Sequence, residues 1–315
     1  MRTSAFRADE EVDSMALGYE GSLYILAFDH RGSFQKKMFG IAGEPSPEET
    51  EKISDAKRVI FEGFQKAIDL GAPRDAAGVL VDEQFGGDIP RVAKKDGLIL
   101  AMPVEKSGQD EFDFEYGDAF GKHIEEFDPT FSKVLVRYNP EGDAEINREQ
   151  TERLAHLGEW LHKNDRKFLF ELLVPAEQHQ LDSVGGDGDR FDKEVRPGLM
   201  VKTIEALQAA GVDPDIWKIE GIDQREDCER ISATARKDGR DNVVCVVLGR
   251  GADDAAVDHW LRQGAGVPGY VGFAIGRTIW WDALKGFLDG SLERDAAADR
   301  IAKNYRRFID VYQGA

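Results

Sequence analysis

LYILAFDHRGSF, residues 23–34, sets six apolar residues in a row against an acid, an imidazole and a guanidinium, and then a glycine. A continuous apolar run of this length reads as a strand buried on both faces, as in a parallel sheet covered by helices. Its polar end must then lie either in water or at a site of use. The same construction recurs along the chain in GVLV (78–81), LILAMPV (98–104), KVLVRY (133–138), FLFELL (168–173), IWKIE (216–220), VVCVVL (243–248) and YVGFAIG (270–276). Amphipathic segments at 47–70, 147–164, 199–211, 223–237 and 253–264 fall between these runs and read as helices. Eight strands alternating with helices predict an α/β fold, the (β/α)8 TIM barrel, in preference to a six-stranded doubly wound sheet. No G-x-G-x-x-G follows the first run, which counts against a dinucleotide fold. With no repeat, low-complexity tract or long linker, the expectation is one domain over residues 1–315, of which 1–20 form an N-terminal extension.

The composition narrows the class. Of 315 residues 41% are hydrophobic, enough for a large core, and the net charge of −19 argues against nucleic-acid and anionic-membrane partners. Cys228 and Cys245 have no CxxC or Cys/His spacing, so neither a disulfide framework nor a zinc site is expected. The N-terminus lacks a signal-peptide core, and no run approaches the roughly 18 apolar residues of a membrane span. A soluble, cytoplasmic protein is expected.

Barrel enzymes carry their chemistry at the C-terminal ends of the strands, so those ends form one candidate surface. They supply Asp29, His30 and Arg31, then Asp82 and Glu83, then Glu105 and Lys106. Arg137, Glu171, Lys218, Glu220, Arg250 and Arg277 follow on the later strands. The polar end of LYILAFDHRG is therefore expected at an active-site mouth.

Charged residues inside apolar runs carry the most information, because an unpaired buried ammonium is costly and tends to lose its proton. If Lys133 and Lys218 both point inward, each raises the cost of charging the other, and a lysine of lowered pKa is a competent amine nucleophile. The plainer alternative is that each points outward or pairs with Glu171 or Glu220. Glu171 itself reads either as a general acid/base or as the partner of a lysine. GRGAD (249–253) and IGRTIWW (275–281) join glycine and arginine where a strand passes into a helix, a place where backbone N–H groups can hold a phosphate. Turn glycines beside surface arginines are the alternative there.

These residues together carry a resemblance. Asp29-His30-Arg31-Gly32, Leu80-Val81-Asp82-Glu83-Gln84-Phe85-Gly86, Glu105-Lys106-Ser107-Gly108, Lys133, Glu171 and Trp217-Lys218-Ile219-Glu220 resemble, in order, segments of class I (Schiff-base) aldolases of the tagatose-bisphosphate and sulfofructose-phosphate type. FDHRGSFQKKMFG is most similar to the aldolase-like domain that follows the sugar kinase in some bacterial inositol-catabolism proteins, which is associated with 2-deoxy-5-keto-gluconate 6-phosphate aldolase. With no kinase in the sequence, the chain is expected to be a free-standing version. The resemblance implies that Lys218 forms an imine with a substrate ketone and that Glu171 takes the hydroxyl proton as the carbon–carbon bond breaks. It implies further that Lys133 and Asp29 assist beside the imine, and that Gly249, Gly276 and Arg277 hold the phosphate of a dihydroxyacetone phosphate half. His30, Arg31, Asp82, Glu83, Lys106, Arg137 and Arg250 complete the expected substrate-binding set.

Two departures from the pattern bear on substrate. His30 stands where the sugar-bisphosphate relatives have glutamine, and Arg137 is a cation in the fourth strand. Either Arg137 or Arg31 could hold a carboxylate, which favours a keto-aldonate phosphate over a sugar bisphosphate; Arg137 paired with a barrel carboxylate is the alternative. Residues 176–195 read as a lid over the substrate or as a polar surface loop carrying His179. A metal-dependent aldolase would need converging histidines, and His30 alone stands at a strand end. A glycosidase using Glu83 and Glu171 leaves the lysines without a role, and a non-catalytic sugar-phosphate sensor is the rival of another class. No cofactor is expected. GFAIGRTIWWDALKGFL ends in an apolar helix that could pack on a second copy, making a homo-oligomer possible.

Overall fold

The computed structural model describes residues 16–314. Eight parallel strands, β1 (Leu23–Ala27), β2 (Ala77–Leu80), β3 (Ile99–Pro103), β4 (Phe131–Arg137), β5 (Lys167–Leu173), β6 (Ile216–Glu220), β7 (Val244–Leu248) and β8 (Tyr270–Ile275), close into a barrel in sequence order. The expected (β/α)8 barrel is the fold observed. Each apolar run of the sequence became a strand within a residue or two of its expected ends; the largest shift is at β4, which starts two residues earlier, at Phe131.

Alternation along the strands explains why the runs are apolar throughout. Leu23, Ile25 and Ala27 face the barrel interior together with Leu80, Ala101, Phe131, Leu169 and Ile216, while Tyr24, Leu26, Phe168, Phe170 and Trp217 pack outward against the helices. Both sets are buried, so neither face needs a polar residue. The outer layer closes the seam between first and last strands: Trp280 Nε1 donates to Ala27 O at 2.9 Å and Tyr305 Oη to Tyr24 O at 2.6 Å. Helix Pro47–Asp69 opens with a capping box between Ser46 and Glu49 and presses Gly63 against Ile301 of helix Arg294–Gln313, where a Cβ would fall 2.6 Å from the isoleucine. The buried face of helix Pro47–Asp69 also carries Lys57, whose partner is described below.

The floor of the barrel is closed from the N-terminal side. Tyr19 lies edge-on to Phe131, and the buried Asp215 carboxylate accepts from Gly18 N at 2.7 Å and Phe168 N at 2.8 Å. Residues 18 and 19 of the expected extension thus belong to the barrel floor, and residues 1–15 of it lie outside the described residues. Among the described residues, no helix is long and apolar enough to cross a membrane.

Candidate active site

The period of two that fills the barrel with apolar side chains also delivers the charged ones. Continuing the inward set upward from Ala27, Ala101, Phe131, Leu169 and Ile216 reaches Asp29, Glu105, Lys133, Glu171 and Lys218. The β5–β6 register sets Glu171 directly beside Lys218. Lys218 Nζ lies 2.9 Å from Glu171 Oε2, and Lys133 Nζ lies 3.2 Å from that same oxygen. Lys133 also donates to Asp29 Oδ2 at 2.8 Å and to Glu105 Oε1 at 2.7 Å. All five side chains are less than one-tenth exposed.

The electrostatics correct one expectation. Lys133 is not discharged by the nearness of a second lysine: burial opposes the charge, but Asp29, Glu105 and Glu171 outweigh it and push the ammonium above the ordinary lysine range. In return Asp29 lies well below the usual carboxylate range, burial being overcome chiefly by Lys133, and Glu171 is lowered against burial by Lys218 and then Lys133. Glu105 goes the other way, raised by burial despite Lys133 and Arg31. Burial, aided by Arg277 and Lys218 against the pull of Asp29, holds the half-buried His30 imidazole down at about 4. Its Nδ1 is enclosed without a hydrogen-bond partner among the described residues, and the ring stands edge-on to Trp280.

A cavity of about 430 Å³ opens above these groups, lined by the small Ala27 and Ala274 below and by His30, Lys106, Arg137, Gly249, Arg250, Gly276 and Arg277 around the mouth. The cations of the rim fall on opposite sides: Lys106 and Arg137 beyond β3 and on β4, Arg250 and Arg277 beyond β7 and β8. Arg137 forms no ion pair among the described residues; its Nη1 donates to Gln109 O at 2.9 Å. Gly276 is required by close packing, since a Cβ there would fall 2.3 Å from Ala27 O and 3.2 Å from His30 Cε1.

Four expected substrate-binding residues are placed elsewhere or already engaged, Arg250 among them, since it pairs with Asp192 and Glu220. Asp82 is fully buried away from the cavity, where it pairs with Lys57 and accepts from Phe85 N at 2.8 Å. Glu83 turns to His123 Nε2, 3.1 Å away, and to the Tyr116 hydroxyl. Neither lines the cavity, because the chain beyond β2 turns at once into the short helix Glu83–Gly86. Arg31 borders the cavity but is bound to Glu115 Oε2 at 2.9 Å and to Glu105 O at 2.6 Å, which leaves Arg137 as the cation open to a distal carboxylate. Glu105, by contrast, reads in the sequence only as a strand-end acid, yet the same alternation through Ala101 and Pro103 turns it inward onto Lys133. The carboxylates converge on the ammonium of Lys133, and among the described residues no group of three or more His, Cys, Asp and Glu side chains is placed to hold a metal ion. Residues 176–195 are not a loop: they form helices Gln178–Ser183 and Gly188–Arg190 and a π-helical turn Phe191–Val195, with His179 exposed beside Glu141.

Comparisons with known proteins agree with this architecture. A family model described as "Uncharacterized protein conserved in bacteria (DUF2090)" matches residues 13–315. The tagatose 1,6-diphosphate aldolase 2 of Streptococcus pyogenes serotype M1 is 27% identical over 169 residues, which are 51% of this chain and 48% of that protein. The protein of the same name from serotype M18 (strain MGAS8232) matches to the same extent. The chain thus spans about half the length of the curated relatives it matches. Among solved structures, Cgl0159 from Corynebacterium glutamicum shares the fold with a TM-score of 0.56 at 19% identity, over 92% of this chain and 88% of that one.

Proposed function

The chain belongs to the DUF2090 family, and for this member we propose reversible aldol cleavage of a sugar phosphate through an imine on Lys218. The observation that carries the reading is the pairing of two lysines with different tasks. Lys133 is held as a cation by three carboxylates, while Lys218, 2.9 Å from Glu171, projects into the cavity where a carbonyl carbon can be attacked. Similarity to the streptococcal aldolases supports the sugar-phosphate class.

In this mechanism Lys218 passes a proton to Glu171, its amine adds to the ketone, a proton moves from the nitrogen to the former carbonyl oxygen, and Glu171 returns its proton as that oxygen leaves as water, giving a protonated imine and restoring the Glu171 carboxylate. Lys133, supported by Asp29, stabilises the oxygen as it leaves. Glu171 then takes the proton from the hydroxyl on the second carbon from the imine. The O–H electron pair becomes the aldehyde C=O, the carbon–carbon bond breaks, and its electrons flow into the imine as an enamine. Return of the proton to the enamine carbon and hydrolysis release the ketone product and regenerate Lys218. No cofactor enters these steps.

For the substrate, the two cationic sides of the rim fit a chain anionic at both ends. Gly249, Gly276 and Arg277 would take a phosphate, and Arg137 with Lys106 a carboxylate. A keto-aldonate phosphate is the class proposed, with cleavage of 2-deoxy-5-keto-gluconate 6-phosphate to dihydroxyacetone phosphate and malonic semialdehyde as the specific case. Incubation with dihydroxyacetone phosphate and borohydride, read by intact mass, tests the mechanism. A reduced adduct that survives a chelator and is lost in Lys218→Ala supports it. A folded protein that binds the ligand without forming an adduct would favour a metal-dependent enzyme or a sensor.

A further inference from the structure

The segment that follows β5, residues 176–195, is tied at both ends to one buried carboxylate. Val174 N, two residues before its start, donates to Glu220 Oε2 at 3.0 Å, and Arg196, just past its end, reaches Glu220 Oε1 at 2.8 Å. Glu220 is 5% exposed and Arg196 2%. Between these anchors the π-helical turn Phe191–Val195 presents Asp192, which pairs with Arg250 Nη1 and lies 3.4 Å from Arg196 Nε. Arg250 in turn reaches Glu220 Oε1 through Nε at 3.1 Å. Single π turns are uncommon and recur at functional sites.

Arg250 occupies an unusual backbone position. It has φ +53°, a left-handed conformation that costs a residue with a Cβ, and Gly251 follows at φ +74°. That pair of residues aims the Arg250 carbonyl at Arg277, whose Nη2 donates to it at 2.6 Å. The Arg277 guanidinium lies so close that a Cβ on Gly251 would fall 2.6 Å from its Cζ. The guanidinium is therefore set by the turn beneath it, and the turn is held by what Arg250 grips.

We propose that Asp192 is a positioning residue: through Arg250 it fixes the Arg277 guanidinium, so that segment 176–195 sets the affinity of the cavity for phosphate esters. The inference rests on the reading of Gly249, Gly276 and Arg277 as the phosphate end of the site. It is unlike an ordinary charge effect in sign. Removing a carboxylate near the rim would, by its field alone, strengthen the binding of an anion. Loss of positioning weakens it.

The experiment is calorimetric titration of the full-length protein with inorganic phosphate. Asp192→Asn is expected to weaken binding about fivefold, the size of coupling carried through an intervening side chain. Asp192→Glu is expected to restore most of it, and Asp182→Asn, which removes an exposed charge from the same segment beside Gln178, to change nothing. In an Arg250→Met background, Asp192→Asn is expected to have no further effect. Thermal unfolding confirms that each variant is folded. Equal or tighter binding by Asp192→Asn overturns the positioning role and leaves the phosphate site standing; absence of phosphate binding by the unaltered protein overturns both.

Discussion

Lys218 and Lys133 converge on a single oxygen, Glu171 Oε2, at 2.9 and 3.2 Å. The two lysines differ in the counter-charge that surrounds them. Lys133 has Asp29 and Glu105 besides Glu171, whereas Glu171 is the one ion partner of Lys218 within 4 Å among the described residues. Removing Lys133 strands the buried Asp29 outright and leaves Glu105 with Arg31 alone, 3.7 Å away, and Glu171 with Lys218 alone. Removing Lys218 strands none, since Glu171 keeps Lys133.

The two lysines should therefore separate stability from chemistry. Lys133→Met is expected to lose about 3–5 kcal/mol in urea unfolding, the cost of breaking a buried pair from one side. Lys218→Met is expected to stay within about 1 kcal/mol of the unaltered protein while losing borohydride-trapped adduct altogether. Equal destabilisation by both would show that Lys218 is a structural cation.

His30 adds a pH dependence whose sign follows from its environment. The folded chain holds the imidazole neutral, down to about 4, while the unfolded chain takes up a proton near the ordinary histidine value of about 6.5. As pH falls from about 6.5 towards 4, the unfolded state gains protons that the folded state refuses, so folding stability falls. His30→Gln removes this group, and its loss of stability between pH 7 and pH 5 should be smaller than that of the unaltered protein by on the order of 1–2 kcal/mol. Parallel pH profiles for the two proteins would place the His30 titration elsewhere.

The success and failure of the sequence reading have one physical origin. Parallel strands covered by helices are apolar on both faces, so LYILAF and IWKIE announce themselves without any partner in view, and β6 runs from Ile216 to Glu220 as its sequence suggests. Lys133, Glu171 and Lys218 were legible for the same reason, as charges that interrupt such runs. Asp82 and Glu83 were not, because their partners are distant in sequence: Lys57 reaches Asp82 from the helix Pro47–Asp69, and His123 reaches Glu83 from the helix Phe120–Phe127. The segment 176–195 looked like a loop because its glycines and acids lack an apolar period. Its short helices are held by local caps, the Glu177–Gln180 box and the Asp187 side chain, which a periodicity does not reveal.

Asp82 offers a clean separation of structural from substrate-binding acids. Burial pushes Lys57 down and Asp82 up, and each pulls the other back toward its charged form. Lys57→Met should lose about 3–5 kcal/mol, because Asp82 is then buried without its cation. Asp82→Asn should also lose stability, yet its half-saturation for dihydroxyacetone phosphate in adduct trapping should match the unaltered protein. A weakened ligand response in a fully folded Asp82→Asn would return this acid to the site.

The opposed cations of the rim predict which end of a substrate each one serves. Arg277 lies beyond β8 beside Gly276, and Arg137 stands on β4 across the cavity. A charge-assisted hydrogen bond is worth about 1.5–3 kcal/mol, roughly ten- to hundredfold in affinity. Arg277→Ala should raise the concentration of dihydroxyacetone phosphate needed for half-maximal adduct by about that factor, whereas Arg137→Ala should leave it unchanged, since this ligand carries no second anion. With a keto-aldonate phosphate as substrate, followed by release of dihydroxyacetone phosphate, both variants should raise KM. If Arg137→Ala weakened both ligands alike, Arg137 would be acting through Gln109 O, 2.9 Å from its Nη1, on the shape of the mouth and not on a distal carboxylate.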